Sequence, residues 1–176
     1  LLVEIIAPVL LIVVFLQYGL INVVFFKYAL LALWMIPIFF IDAFHHIIPH
    51  KLSIPLIPIG LAFALFSQSD VGIVNAAVSG GVMFGFLLLL AYGYRIARKV
   101  DGLGGGDIWL LTGVATFLGL ISLPFVVLFA SLMGIIYFVV AVRDTNKAFA
   151  FGNFIALSVV IWICLGGESI LSYLPM

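Results

Sequence analysis

Apolar stretches of membrane-spanning length follow one another from end to end of this chain, with only short polar joins between them. They cover approximately residues 2–16, 28–44, 53–67, 72–94, 107–121, 123–142 and 150–166. A hydrocarbon layer of roughly 30 Å asks for about 20 helical residues, so the shorter runs are expected to tilt or to continue past these limits. The reading is an all-α polytopic transmembrane helical bundle of about seven helices, one domain over residues 1–176. The join at Ser122-Leu123-Pro124 is marked only by its proline. The first run carries Glu4 and has neither a basic start nor a small-residue cleavage site, unlike a cleaved signal. The chain opens on Leu1, so it is expected to be trimmed or processed, with a part upstream.

Composition removes several classes. Two thirds of the residues are hydrophobic (66%) and 8% are charged, with seven bases against seven acids. That is too little charge to solvate a globular surface of this size. A soluble enzyme, a disordered chain and a nucleic-acid binder, which needs a basic stripe, are excluded. With Cys164 the single cysteine, an intrachain disulfide and a cysteine-based zinc cluster are excluded too.

The few cations set an orientation. With seven helices, alternate joins fall on opposite sides. One side collects Lys51, Arg95, Arg98, Lys99, Arg143 and Lys147, and the other has Lys27. Six against one is a positive-inside signal, so the joins near 45–52, 95–106 and 143–149 are expected at the cytoplasmic face. The start of the chain then lies on that face and its end lies outside. Arg95, Arg98 and Lys99 are expected to meet anionic lipid there.

Two acids stand at membrane depth. Asp42 closes Pro37-Ile38-Phe39-Phe40-Ile41-Asp42, and Asp107 follows Gly102-Leu103-Gly104-Gly105-Gly106. A carboxylate in hydrocarbon costs a few kcal/mol, so it normally faces protein or a wet cavity. Both acids are expected at cytoplasmic helix ends, where they can meet although 65 positions separate them (107 − 42). Two carboxylates in one low-dielectric site cannot both ionise easily, and a shared proton is what aspartyl proteolysis uses. Helix N-terminal N–H groups would stabilise Asp107, and the glycines before it would let an extended substrate backbone approach. The plainer readings are an N-cap followed back to a glycine loop for Asp107, and an interfacial acid reaching headgroup water for Asp42.

The chain resembles the type IV prepilin peptidase family, the bacterial branch of the Gly-x-Gly-Asp intramembrane aspartyl proteases. Gly104-Gly105-Gly106-Asp107 matches that motif and continues through Leu110-Leu111 to Leu118-Gly119. Ile41-Asp42, His45 and Ile48-Pro49 match the segment of Asp, His and Leu/Ile-Pro, and Leu2-Val3-Glu4 resembles the Leu-Val-Glu that opens a family helix. The resemblance implies an aspartyl intramembrane protease-like bundle with Asp42 and Asp107 as the catalytic pair. It implies Gly104, Gly105, Gly106, His45, Pro49 and Glu4 as cleft or motif residues, with no metal and no cofactor. The implied reaction cuts the leader of a prepilin or pseudopilin at the cytoplasmic face of the bacterial inner membrane, with lipid and the substrate as partners. Two positions depart from the pattern: His50 stands where many members carry Asp or Asn, and Trp109 where many carry Lys. Nothing in the chain matches the upstream cysteine-rich cytoplasmic domain of bifunctional members. The expectation is a chain that lost this part or a peptidase-only member.

Other groupings of residues point elsewhere. Asp42, His46 and His50 fall at i, i+4 and i+8, a metal-site spacing on a continuous helix, but Pro49 speaks against continuity. Ser79-Gly80-Gly81 reads as close helix packing rather than as a serine nucleophile. Asn75 and Asn153 are expected to bond between helices, Glu168 lies at the outer end, and Pro37, Pro55 and Pro58 are expected to kink their helices. The rival functions are a small proton- or cation-coupled transporter built on the same acids, and an inactive homologue of the peptidases.

Overall fold

The computed structural model describes residues 2–19, 22–66, 69–99, 103–142 and 151–167. Its regular elements are all helical: α1 (Leu2–Tyr18), α2 (Val23–His45), a single turn α3 (His50–Ser53), α4 (Leu56–Ala64), α5 (Ile73–Arg98), α6 (Gly105–Tyr137) and α7 (Gly152–Cys164), with a π-turn over Phe138–Val142. Each expected apolar run carries helix. Arg143, Lys147 and Glu168 lie outside the described residues.

The limits differ from the expectation where local chemistry was underweighted. α2 starts at Val23, five residues early (28 − 23), because the Asn22 side chain accepts the Phe25 N–H at 2.8 Å and caps the helix. Lys27 therefore sits inside a helix rather than in a polar join. It is 1% exposed, and its ammonium lies 4.6 Å from the centre of the Tyr28 ring. The third run divides into α3 and α4 at Pro55, which has no N–H to give. Pro58 then falls in the first turn of α4, where proline is tolerated, and α2 continues through Pro37.

The fifth and sixth runs meet at Gly119, not at Ser122-Leu123-Pro124. Gly119 has φ 75° and ψ 172° between two helical stretches. That region belongs to glycine, whereas a proline near a helix start is compatible with helix.

The chain forms two units, Leu1–His46 with Ser122–Met176, and Ile47–Ile121. In the first, α2 packs against both α1 and α7. At one end Tyr18 stacks on Tyr28 (4.5 Å) and its hydroxyl donates to the Ile163 carbonyl (3.3 Å). Nearer the other end Ile6 and Leu10 of α1, Phe39 and Phe40 of α2, and Ala156 and Val160 of α7 surround an apolar cavity of about 200 Å³. So α1 and α7 run parallel to each other and antiparallel to α2. The later part of α6 packs on α7 through Phe125 against Trp162 (5.2 Å) and Tyr137 against Phe154 (5.5 Å).

In the second unit, small residues bring helices together. A Cβ at Gly60 of α4 or at Gly80 of α5 would run into Thr116 of α6, so only glycine allows these approaches. Phe63 packs beside Phe117, and Leu56, Leu110, Val114 and Phe117 are fully buried. On α5 the buried side is Ala76, Ser79, Gly80, Met83 and Leu87, while Val74, Val78, Val82, Phe86 and Leu89 are exposed. Small residues inside and large apolar residues outside reverse the soluble pattern and suit a helix bathed in hydrocarbon. Val23–His45, Ile73–Arg98 and Gly105–Val140 are long and apolar enough to cross a membrane. The chain is a helical membrane protein.

Candidate active site

Asp42 lies in the last turn of α2, which closes at His45. The next residue, His46, takes the left-handed conformation (φ 54°) and its N–H returns to the Asp42 carbonyl at 2.9 Å. The Asp42 side chain is 3% exposed. Its Oδ2 accepts the backbone N–H of Asn153 at 2.7 Å, and the Gly152 N–H is directed at the same carboxylate. These are the first two residues of α7, so the acid sits on a helix N-terminus, where unpaired N–H groups and the helix dipole both favour an anion. Since α1 starts at this end of the unit, Glu4, exposed in the first turn of α1, belongs to the same end.

Asp107 is half-buried in the first turn of α6. Its N–H donates to the Gly104 carbonyl at 3.1 Å, and its carboxylate folds back over Gly104. A Cβ at Gly104 would stand 2.9 Å from Asp107 Oδ2. The next two glycines meet the chain segment that follows α2. A Cβ at Gly105 would lie 3.6 Å from His50 Cε1, and one at Gly106 would lie 2.7 Å from both Cβ and carbonyl oxygen of Ile48. The Ile48-Pro49-His50 stretch is thus laid along the glycine run. Close backbone approach at Gly106 is made by the protein's own chain, which leaves the exposed Gly104 and Gly105 as the glycines open to another molecule. Trp109 sets its ring, tilted, beside that of Phe84 of α5 at 5.0 Å and is used for packing.

The expected site residues therefore fall into two clusters. Asp42, with His45 exposed beside it and Glu4 at its end of the unit, belongs to the first unit. Pro49, Gly104, Gly105, Gly106 and Asp107 belong to the second. Residues 42, 46 and 50 do not share a helix face, because α2 ends before His46. Among the described residues no group of three potential metal ligands forms. Ser79 donates its hydroxyl to the Asn75 carbonyl at 2.5 Å and packs within the unit, as its small neighbours led one to expect. Sequence reasoning missed the backbone of Asn153 as the partner of Asp42. The one available signal was the glycine at 152, near the start of the run at 150–166.

Residues 29–139, which include Asp42, the three glycines and Asp107, match the type IV leader peptidase family. The chain belongs to that family. Among curated relatives, prepilin leader peptidase/N-methyltransferases are similar to it: that of Neisseria gonorrhoeae is 34% identical over 137 residues, 76% of this chain and 46% of the relative. That of Aeromonas salmonicida (strain A449) is 33% identical over 150 residues, 81% and 50% respectively. That of Escherichia coli (strain K12) is 35% identical over 127 residues, 69% and 55%. The chain thus spans about half the length of the curated relatives it matches. No solved structure matches it. For a leader peptidase family member the two carboxylates are the natural centre of interest, since both fall in the matched region and both sit on helix N-termini.

Proposed function

We propose that this chain is an aspartyl endopeptidase that removes the leader of a type IV prepilin or pseudopilin, with Asp42 and Asp107 as its catalytic pair. The observation that carries the reading is the family match across a region holding a nearly fully buried carboxylate at a membrane helix end and a second one after a glycine run. A carboxylate this buried in a membrane helix is costly and is normally kept for function. In the reaction the ionised member of the pair takes a proton from water as the water oxygen bonds to the scissile carbonyl carbon. The protonated member hydrogen-bonds the carbonyl oxygen. The tetrahedral intermediate then collapses, the C–N bond breaks, and the proton taken from water is delivered to the leaving nitrogen. The exposed Gly104 and Gly105 provide a backbone edge along which the substrate lies. The two units act together as one peptidase domain over residues 1–176.

Orientation follows from charge. Lys51 in α3, Arg95 and Arg98 in the last turn of α5, and Lys99 at its cap favour the cytoplasmic side of a bacterial inner membrane. The site then faces the cytoplasm, where a basic leader meets the apolar helix of the prepilin. The test is leader cleavage in liposomes by the native chain, Asp42→Asn and Asp107→Asn, over a panel of prepilins. Cleavage by the native chain, lost in both folded variants, is the expected result. Full cleavage by either variant removes that residue from the mechanism, and no cleavage of any substrate by the folded native chain overturns the reading.

A further inference from the structure

We propose that the first turn of α7 is the positioning device for Asp42: the Asn153 N–H, with that of Gly152 beside it, holds the carboxyl group in one orientation and fixes Oδ2 as an acceptor. This rests on the reading of Asp42 as catalytic. The first N–H groups of a helix have no partner inside it. At the start of α7 the N–H groups of Phe154 and Ile155 both return to the Phe151 carbonyl, whereas that of Asn153 leaves the helix and reaches Asp42 Oδ2, 111 positions away, at 2.7 Å. An N–H can only donate, so the Oδ2 that it holds accepts. Rotation of the carboxyl group would exchange the two oxygens. The bond opposes that rotation, and with the side chain 3% exposed, water does not compete for it.

The side chain of Asn153 is not what does this. Its Oδ1 is buried without a hydrogen-bond partner among the described residues, so the amide contributes no bond from that atom. The positioning group is the backbone N–H, which a substitution removes only if it is to proline. Proline is tolerated in a first helical turn, where the missing N–H costs the helix nothing. Asn153→Pro is therefore a deletion of one donor, and Asn153→Ala keeps that donor.

The experiment is leader cleavage by the full chain in liposomes, with kcat and KM taken separately. Asn153→Pro is expected to lower kcat roughly tenfold or more while KM stays within about twofold, the mark of a reacting group out of place rather than of lost substrate binding. Asn153→Ala is expected to keep a kcat at least about fivefold above that of Asn153→Pro. Equal kcat in the two variants overturns the proposal. A second measurement needs no proline variant: the Asn153 amide proton in the NMR spectrum of the native chain is expected downfield, and to move upfield in Asp42→Ala. A resonance that does not move overturns the proposal too. Cleavage that survives Asp42→Asn is a different failure, because it removes Asp42 from the chemistry, whatever holds its carboxylate.

Discussion

Ile48 presses on Gly106 so closely that a Cβ at 106 would stand 2.7 Å from the Ile48 carbonyl oxygen. Two stretches that look like separate motifs in the sequence, Ile48-Pro49 and the glycine run, are thus one packed piece. The glycines in that piece are not equivalent. At Gly106 the obstacle is backbone and Cβ, at Gly104 it is the carboxylate of Asp107, and at Gly105 the nearest atom is an ordinary contact with His50.

Gly106→Ala therefore forces main chain apart and is expected to cost about 1–3 kcal/mol, the usual range for overpacking, seen as a lower unfolding temperature in detergent. Gly104→Ala is expected to unfold near the native temperature and yet to cleave leader peptides at least about tenfold more slowly, because the side chain that must move aside is that of Asp107. An unfolding temperature for Gly106→Ala equal to that of the native chain would contradict the close packing.

The apolar runs and the two acids were legible in the sequence because both follow from single-residue properties. Successive apolar runs can be recognised residue by residue, and a carboxylate at the end of one stands out. Less legible were features that depend on which backbone meets which. The cap at Asn22 was hidden by Lys27, whose charge suggested a polar join although its amine is folded over Tyr28. In the sequence Pro124 is the conspicuous mark of a corner, whereas Gly119 has the conformation that turns the chain. The partner of Asp42 is a backbone N–H, which every residue but proline has, so no side chain advertised it. The three glycines looked like one open loop. Only coordinates separate the one filled by Ile48 from the two that are exposed.

Asp42 both caps α7 and is proposed to do chemistry, and two substitutions separate these roles. Asparagine keeps an oxygen that accepts the Asn153 N–H, while alanine leaves that donor buried and unpaired. Asp42→Ala is expected to lose about 1–3 kcal/mol relative to Asp42→Asn, the cost of an unsatisfied buried donor. Cleavage is expected to be absent in both. Thermal unfolding of the two purified variants in the same detergent checks the first statement. Equal unfolding temperatures would mean that the bond contributes nothing to the fold.

Gly119 combines a positive φ with crowding: a Cβ there would be 3.3 Å from Asn75 Nδ2 and 3.5 Å from Val71. Gly119→Ala is expected to destabilise by about 1–3 kcal/mol through backbone strain. Pro124→Ala is expected to be neutral or stabilising, since it restores a helical donor within α6. Thermal unfolding of both variants decides which residue makes the corner, and the reverse order of stability would return it to the proline.

A pair of carboxylates sharing one proton is active in one of its three protonation states. Below the lower apparent pKa of the pair both are protonated, and no base remains to take the proton from water. Above the upper one both are ionised, and no acid remains to polarise the scissile carbonyl. The two apparent values belong to the pair and not to either residue. The rate of leader cleavage is therefore expected to fall on both sides of an optimum. Glu4, His45 and His46 also lie at that end of the first unit, so the limbs are assigned by substitution. Glu4→Gln, His45→Gln and His46→Gln separate the cases: a bell that keeps both limbs in each variant belongs to the aspartates. A rate that climbs steadily with pH, over the range in which the chain stays folded, would be incompatible with a shared proton.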